Sequence, residues 1–136
     1  MTDKSVTLAK IRSGGVVGAG DAGFPTYKKL EAQVEWIIAN GAECEPLRQK
    51  DRETMRRDAA DLLRGLKLMQ QLTGASRICI AVKRKNEDLV EQMSADAEEL
   101  GIEFFVCDDV YPAGDEYVLV YEITGRHSIA DWLCGR

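Results

Sequence analysis

The sequence predicts an α/β fold: a parallel or mostly parallel sheet flanked by helices in a three-layer-like arrangement, within a single domain. Short apolar runs rich in β-branched residues alternate with segments in which apolar residues recur every three or four positions. Strands that alternate with helices of about ten residues or more are joined by right-handed crossovers, which make the strands parallel. The length of 136 residues suits one compact core.

Three strands are expected. The first runs from Val34 to Ala39 and ends at Asn40-Gly41, a dipeptide that favours a turn. The second and third are expected over Arg77–Val82 and Glu103–Cys107, which are short runs with β-branched or aromatic residues. Ligands of open α/β sheets bind where the strands end, so we expect the chemistry in the loops that follow these strands.

Helices are expected between the strands. Apolar spacings of three and four predict one long helix over Arg52–Leu72 and another over Asn86–Leu100. A further helix is expected to start near Thr26. The segment Asp115–Thr124 fits either a strand, by its β-branched and aromatic content, or a short helix, by its length.

A glycine-rich loop precedes the helix expected near Thr26, with five glycines in the ten positions from Gly14 to Gly23. Backbone without Cβ atoms can approach a ligand closely, and free N–H groups beside a helix N-terminus attract phosphate. Gly18, Gly20 and Gly23 have the spacing of a dinucleotide-binding loop, but no hydrophobic strand precedes them as a Rossmann unit requires. A ligand-binding loop and a plain turning loop both remain open.

A polar segment, Asn40–Pro46, follows the first expected strand. The Asn40 amide can donate and accept hydrogen bonds at a flavin ring edge, and Glu43 and Glu45 can accept them from ribose or amide groups. An ordinary loop at a strand exit is the alternative. Cys44 lies between two glutamates whose negative charge disfavours the thiolate, so we do not expect a nucleophilic role for it.

Composition excludes other classes of function. The net charge of −5 comes from 23 acidic and 18 basic residues, with no basic stripe, so we expect no nucleic-acid binding. Direct membrane insertion is not expected, and the chain is expected to be cytoplasmic. The four cysteines lack metal-site spacing, and Cys79 and Cys107 are expected to be small buried hydrophobes. His127, the single histidine, is expected to be structural or exposed.

The two polar segments resemble, in this order, the flavin-site signatures of one group of electron-transfer proteins. The first signature matches Gly18 to Leu30 (GAGDAGFPTYKKL), and the second matches Asn40 to Pro46 with Lys50-Asp51-Arg52. The group with these signatures comprises the Rnf complex C subunit, the cobalamin reductase of propanediol microcompartments and the flavin subunit of respiratory NADH dehydrogenase. Weaker similarity continues from Tyr111–Glu116 to Thr124–Arg126. The resemblance implies an FMN site that takes a hydride from NADH and passes single electrons to an iron–sulfur or corrinoid partner.

The resemblance also implies which residues line that site: Gly18, Gly20, Gly23 and Lys29 beside the flavin, Asn40, Glu43 and Cys44 at its ring system, and Phe24 and Glu45 on the nicotinamide side. A lysine near the flavin would stabilise its anionic reduced form, and the alternative is that Lys29 is a solvated helix residue. Tyr111, a further candidate site residue, could cover a ring or simply mark the turn that contains Pro112 and Gly114.

The sequence departs from the family pattern in three ways. Asp21 stands where another glycine is usual and adds a negative charge beside the expected cofactor, and Ala32 replaces an aromatic of the respiratory relative, so FMN is expected more firmly than NADH. The chain also ends soon after Arg126. We therefore expect residues 1–136 to be one flavin-site domain of a longer protein. Iron–sulfur clusters are expected only in a missing region or in an electron-acceptor subunit. The protein is expected to form an oligomer or a larger complex and to lie peripheral to a membrane complex. The alternative is a non-catalytic interaction or scaffold domain of the same fold.

Overall fold

The computed structural model describes residues 3–18, 23–42, 50–109 and 115–125. Within these ranges the helices are α1 (Lys4–Ser13), α2 (Thr26–Glu31), α3 (Lys50–Arg57), α4 (Ala59–Thr73), α5 (Glu87–Glu99) and α6 (Glu116–Thr124). The strands are β1 (Trp36–Asn40), β2 (Arg77–Lys83) and β3 (Ile102–Cys107), and a 3₁₀ turn over Arg84–Asn86 joins β2 to α5.

The three strands form a parallel sheet in the order β1-β2-β3. Helices α3 and α4 connect β1 to β2, and α5 connects β2 to β3. Asn40 is paired with Ala81, and Lys83 with Cys107, so the carboxyl ends of all three strands meet at one edge. The predicted α/β class with a parallel sheet is confirmed.

Helices cover both faces of the sheet because alternate residues of a strand point to opposite sides. On one face, Ile78, Ile80 and Val82 of β2 are fully buried in a core with residues of α4 and α5. On the other face, Ala81 and Cys107 form a smaller core with Leu119 of α6 and with Ala42. The result is the expected arrangement of helices, sheet and helix.

One helical prediction is corrected. The segment expected as one helix over Arg52–Leu72 is two helices, α3 and α4, with a break at Asp58, where φ is −113° and ψ is 28°. Backbone hydrogen bonds still cross this point, from the Asp58 N–H to the Thr54 carbonyl (2.8 Å) and from the Leu62 N–H to the Asp58 carbonyl (2.9 Å), and the Asp58 carboxylate accepts hydrogen bonds from the Arg57 side chain. Met55 and Ala59 keep a spacing of four across the break, so apolar periodicity does not reveal it.

The ambiguous segment Asp115–Thr124 forms a helix. The Asp115 side chain accepts hydrogen bonds from the backbone N–H groups of Tyr117 (3.0 Å) and Val118 (3.2 Å), which caps the first turn of α6. Helix α1 was not predicted, because its sequence is polar and contributes no buried residue. Asp3 caps α1 in the same way, through the backbone N–H of Ser5.

Cys79 and Cys107 are free thiols, and each is at most 3% exposed. Burial raises the pKa of each thiol to about 11. The prediction that these two cysteines are small buried hydrophobes is confirmed. Among the helices that the structure describes, none is long and apolar enough to span a bilayer.

Candidate functional site

The glycine-rich loop is closed at its base by a short antiparallel bridge between Val17 and Pro25. The Gly18 N–H donates to the Phe24 carbonyl (3.0 Å), and the Thr26 N–H donates to the Val16 carbonyl (3.1 Å). Gly23 has a φ of +72°, a conformation that glycine adopts without the strain of a Cβ atom. The two ends of the loop, which connects α1 to α2, are therefore held together by the Val17–Pro25 bridge and its flanking hydrogen bonds.

Phe24 and Lys29 lie together beside the Val17–Pro25 bridge. The Lys29 ammonium is 5.5 Å from the centre of the Phe24 ring, within the range of a cation–π contact. Phe24 is 46% exposed, although large aromatic residues are mostly buried. Leu30 is buried and anchors α2, so the helix presents Lys29 on its exposed side. An accessible aromatic surface and a cation thus share one patch.

The second polar segment begins at the carboxyl edge of the sheet. The Asn40 side-chain oxygen accepts a hydrogen bond from the Ala42 N–H (3.1 Å), which turns the chain as it leaves β1. The Gly41 N–H donates to the Ala81 carbonyl (2.8 Å) and so extends the pairing with β2. The expectation that this segment starts where a strand ends is confirmed.

No side chain fits at Gly41. A Cβ atom there would lie 2.8 Å from the Ala81 carbonyl oxygen, 2.8 Å from Met55 Cε and 2.9 Å from Met55 Sδ. Real Cβ atoms do not approach other heavy atoms so closely. The turn that carries Asn40 is therefore packed directly between β2 and α3.

Several predicted residues lie outside the described part of the chain: Gly20, Glu43, Cys44, Glu45 and Tyr111, together with Asp21 and His127. Of the other predicted site residues, the structure brings Gly18, Phe24 and Lys29 together and places Asn40 at the sheet edge. The ligand-binding roles of all these residues stay predictions.

Arg52 stands in the second motif of the resemblance, but the sequence indicated no role and no partner for it. Arg52 Nη1 donates to Asn86 Oδ1 (2.8 Å) and Asp88 Oδ1 (2.9 Å), and Nη2 donates to Asp88 Oδ2 (2.6 Å). These bonds lower the pKa of Asp88. Arg52 lies 34 and 36 residues from these partners, so no local pattern signals the contact.

A parallel α/β domain with a closed glycine loop and a polar turn at the carboxyl edge belongs to the class of nucleotide- and flavin-binding domains. Residues 11–131 match the family described as the Nuo51 FMN-binding domain. The chain therefore belongs to this FMN-binding family, as its resemblance to electron-transfer flavoproteins implied.

Individual relatives agree with this assignment. The chain is 43% identical over 117 residues to cobalamin reductase PduS of Salmonella typhimurium, a match that covers 86% of this chain and 26% of that protein. It is 34% identical over 129 residues to the C subunit of the Na(+)-translocating ferredoxin:NAD(+) oxidoreductase complex of Acetobacterium woodii, covering 91% of this chain and 29% of that relative.

A solved structure shares the fold. An NAD+-reducing [NiFe]-hydrogenase in the H2-reduced state superposes with a TM-score of 0.78 at 26% sequence identity, over 98% of this chain and 25% of that chain. The present chain thus spans about a quarter of the length of the relatives named here.

Proposed function

We propose that this chain is the FMN-binding module of a longer NADH-linked oxidoreductase that passes electrons to an iron–sulfur or corrinoid partner. One observation carries the proposal. This chain belongs to the FMN-binding family, its glycine loop is closed by the hydrogen bond between Gly18 and Phe24, and its Asn40 turn lies at the carboxyl edge of the sheet. Bound FMN would supply the hydride acceptance and the single-electron release that side chains lack.

The described residues fit a flavin. Gly18 and Gly23 have no side chains to obstruct the ring, and Lys29 supplies a cation that favours negative charge on a flavin. The Asn40 amide can bond to the donor and acceptor edge of the ring. We assign Gly20, Glu43 and Cys44 to the same ring system on the pattern of the family, and we propose that Tyr111 covers a ring.

The nicotinamide side of the site is assigned to Phe24 and Glu45. The exposed Phe24 ring offers a stacking surface, and a glutamate can accept hydrogen bonds from ribose hydroxyls. Ala32 contributes no second aromatic surface, so we propose that NADH binds more weakly than FMN.

The proposal extends to the whole protein. Residues 1–136 would be one domain of a longer electron-transfer protein, cytoplasmic and peripheral to a membrane complex. One relative is by name part of a complex that acts between ferredoxin and NAD(+). The acceptor centres would then lie in a further region or in a partner subunit, in an oligomer or larger complex.

A titration of FMN fluorescence with this chain tests the proposal, with FAD and riboflavin as controls and NADH added anaerobically. We expect micromolar binding of FMN and bleaching by NADH. Lys29→Gln should weaken FMN binding about tenfold, or roughly 1.4 kcal/mol. Lys28→Gln is the matched control, since Lys28 is an exposed neighbour that pairs with Glu31, and it should change binding little. Equal effects of the two substitutions would contradict the role of Lys29.

A non-catalytic interaction domain is the second candidate, and Asp21 favours it because a carboxylate in the glycine loop opposes an anionic cofactor. The test compares the wild type with Asp21→Gly in a chain extended beyond residue 136. Flavin binding by Asp21→Gly alone would support the interaction domain, whereas binding by both chains would support the flavin module.

A further inference from the structure

Arg52 joins the start of α3 to the start of α5. Its guanidinium forms a bidentate pair with Asp88 (2.9 and 2.6 Å) and a third hydrogen bond to Asn86 (2.8 Å). Asn86 is buried, and the Arg52 side chain is only 27% exposed. Bidentate charge-assisted bonds restrict orientation as well as distance, so this contact determines where the first turn of α3 lies.

Met55 transmits that position to the candidate site. It lies three residues after Arg52 on α3, it is buried, and its sulfur and terminal methyl occupy the space beside Gly41. Gly41 is also held by the hydrogen bond from its N–H to the Ala81 carbonyl. The turn after β1 is thus enclosed by α3 and β2, and Asn40 is the residue that this turn carries.

We infer that Arg52 is a positioning residue for the candidate flavin site, because its bonds to Asn86 and Asp88 hold α3 where Met55 keeps the Asn40–Ala42 turn against β2. That the site binds a flavin rests on the proposed function, whereas the mechanical link, by which Arg52 holds the Asn40–Ala42 turn in place through α3, does not. A second bond, from Gln92 Nε2 to the Arg56 carbonyl (3.1 Å), also joins α5 to α3. Loss of Arg52 should therefore loosen the first turn of α3 without releasing the helix.

The chain offers a matched control at the opposite end of β2. Arg77 forms an equally bidentate pair with Glu103 (2.9 and 2.7 Å), but at the amino end of the strands. Both pairs are partly exposed ion pairs between distant parts of the chain. If Arg52 only stabilised the fold, neither Arg52→Gln nor Arg77→Gln would affect the Asn40–Ala42 turn selectively.

Amide hydrogen exchange, measured by NMR without FMN, tests the mechanical link. In Arg52→Gln, the Gly41 and Ala42 amides should exchange at least about fivefold faster than in the wild type, since their protection depends on the packed turn. In Arg77→Gln these two amides should keep their wild-type rates. Unchanged rates in Arg52→Gln, or equal acceleration in Arg77→Gln, would overturn the inference.

FMN titration of the same variants tests the consequence for binding. Arg52→Gln should weaken FMN binding about tenfold, and Arg77→Gln by less than about twofold. Asp88→Asn, which removes the charge but keeps the shape, should act in the direction of Arg52→Gln and serves if that variant does not fold. Wild-type affinity in Arg52→Gln would refute the positioning role. If the wild type itself binds no FMN, the proposed function fails, and the amide rates alone decide whether Arg52 holds the turn.

Discussion

At Gly41 the backbone passes so close to β2 and α3 that the identity of a single residue controls the turn. Gly41→Ala should lower the free energy of unfolding by about 1–3 kcal/mol, because the Ala81 carbonyl is backbone and cannot move aside for the methyl group. The same substitution should weaken FMN binding, since it displaces Asn40. Urea unfolding and FMN titration measure the two effects.

Gly65→Ala is the control for that substitution. Gly65 is exposed within α4, and a Cβ atom there meets nothing within 4 Å. Alanine favours helices, so this change should stabilise the chain by roughly 0.5–1 kcal/mol and leave FMN binding unchanged. Two substitutions with effects of the same sign would contradict the packing described at Gly41.

The predicted site residues show how far residue types alone could lead. Phe24 and Lys29 are five positions apart in a recognisable motif, and the structure brings them into contact. Arg52 also stands in a family motif, yet its partners on the β2–α5 connection could not be named from the sequence. A side chain's distant partners depend on how the helices dock, which the chemistry of the residue does not reveal.

In α5, the regular spacing of apolar residues places their side chains in the core, where their burial stabilises the fold. Leu89, Met93 and Ala97 recur every four residues and are almost wholly buried against the sheet. Leu89→Ala should lower the free energy of unfolding by about 2–5 kcal/mol, because it leaves a cavity in a packed core. Leu68→Ala on α4 is the control: Leu68 is 37% exposed, and its loss should cost distinctly less. Urea unfolding that gave equal losses would contradict the assigned core.

The break between α3 and α4 has a consequence for the site. The break at Asp58 separates α3 from α4, although Met55 of α3 and Ala59 of α4 pack in the same core. Helix α3 contacts both α4 and α5, and it reaches Gly41 through Met55. Helix α3, which packs against the candidate site, is thus the helix that the apolar periodicity did not separate from α4.

For the whole molecule, acid should reduce stability through its ion pairs. The Arg partners lower the pKa of Asp88 and of Glu103 in the folded chain. A carboxyl group whose folded pKa is below its unfolded value stabilises the fold above the unfolded pKa, and this contribution is lost as pH falls through the folded pKa. The free energy of unfolding should therefore fall below about pH 4.5.

Glu103→Gln isolates one of these contributions. The difference in unfolding free energy between wild type and Glu103→Gln should be small at pH 7, as for most exposed pairs, and should shrink further below about pH 4. Arg77→Gln should show the same pH dependence, because it removes the same pair. Urea unfolding at both pH values measures this, and a difference that grows in acid would contradict the pairing.

The sequence by itself determined the α/β class, the three strands, the glycine loop, the Asn40-Gly41 exit and the family. These features depend on local spacing, turn-forming residues and motif order, which a chain carries before it folds. Only the tertiary structure decided that Asp115–Thr124 is a helix capped by Asp115 and packed through Leu119, and that Arg52 reaches Asn86 and Asp88. The Asp115 cap is a local contact, but the segment's residue content also suits a strand, and the packing of Leu119 against the sheet selects the helix. Arg52 bonds to residues 34 and 36 positions away, a separation that carries no pattern in the sequence.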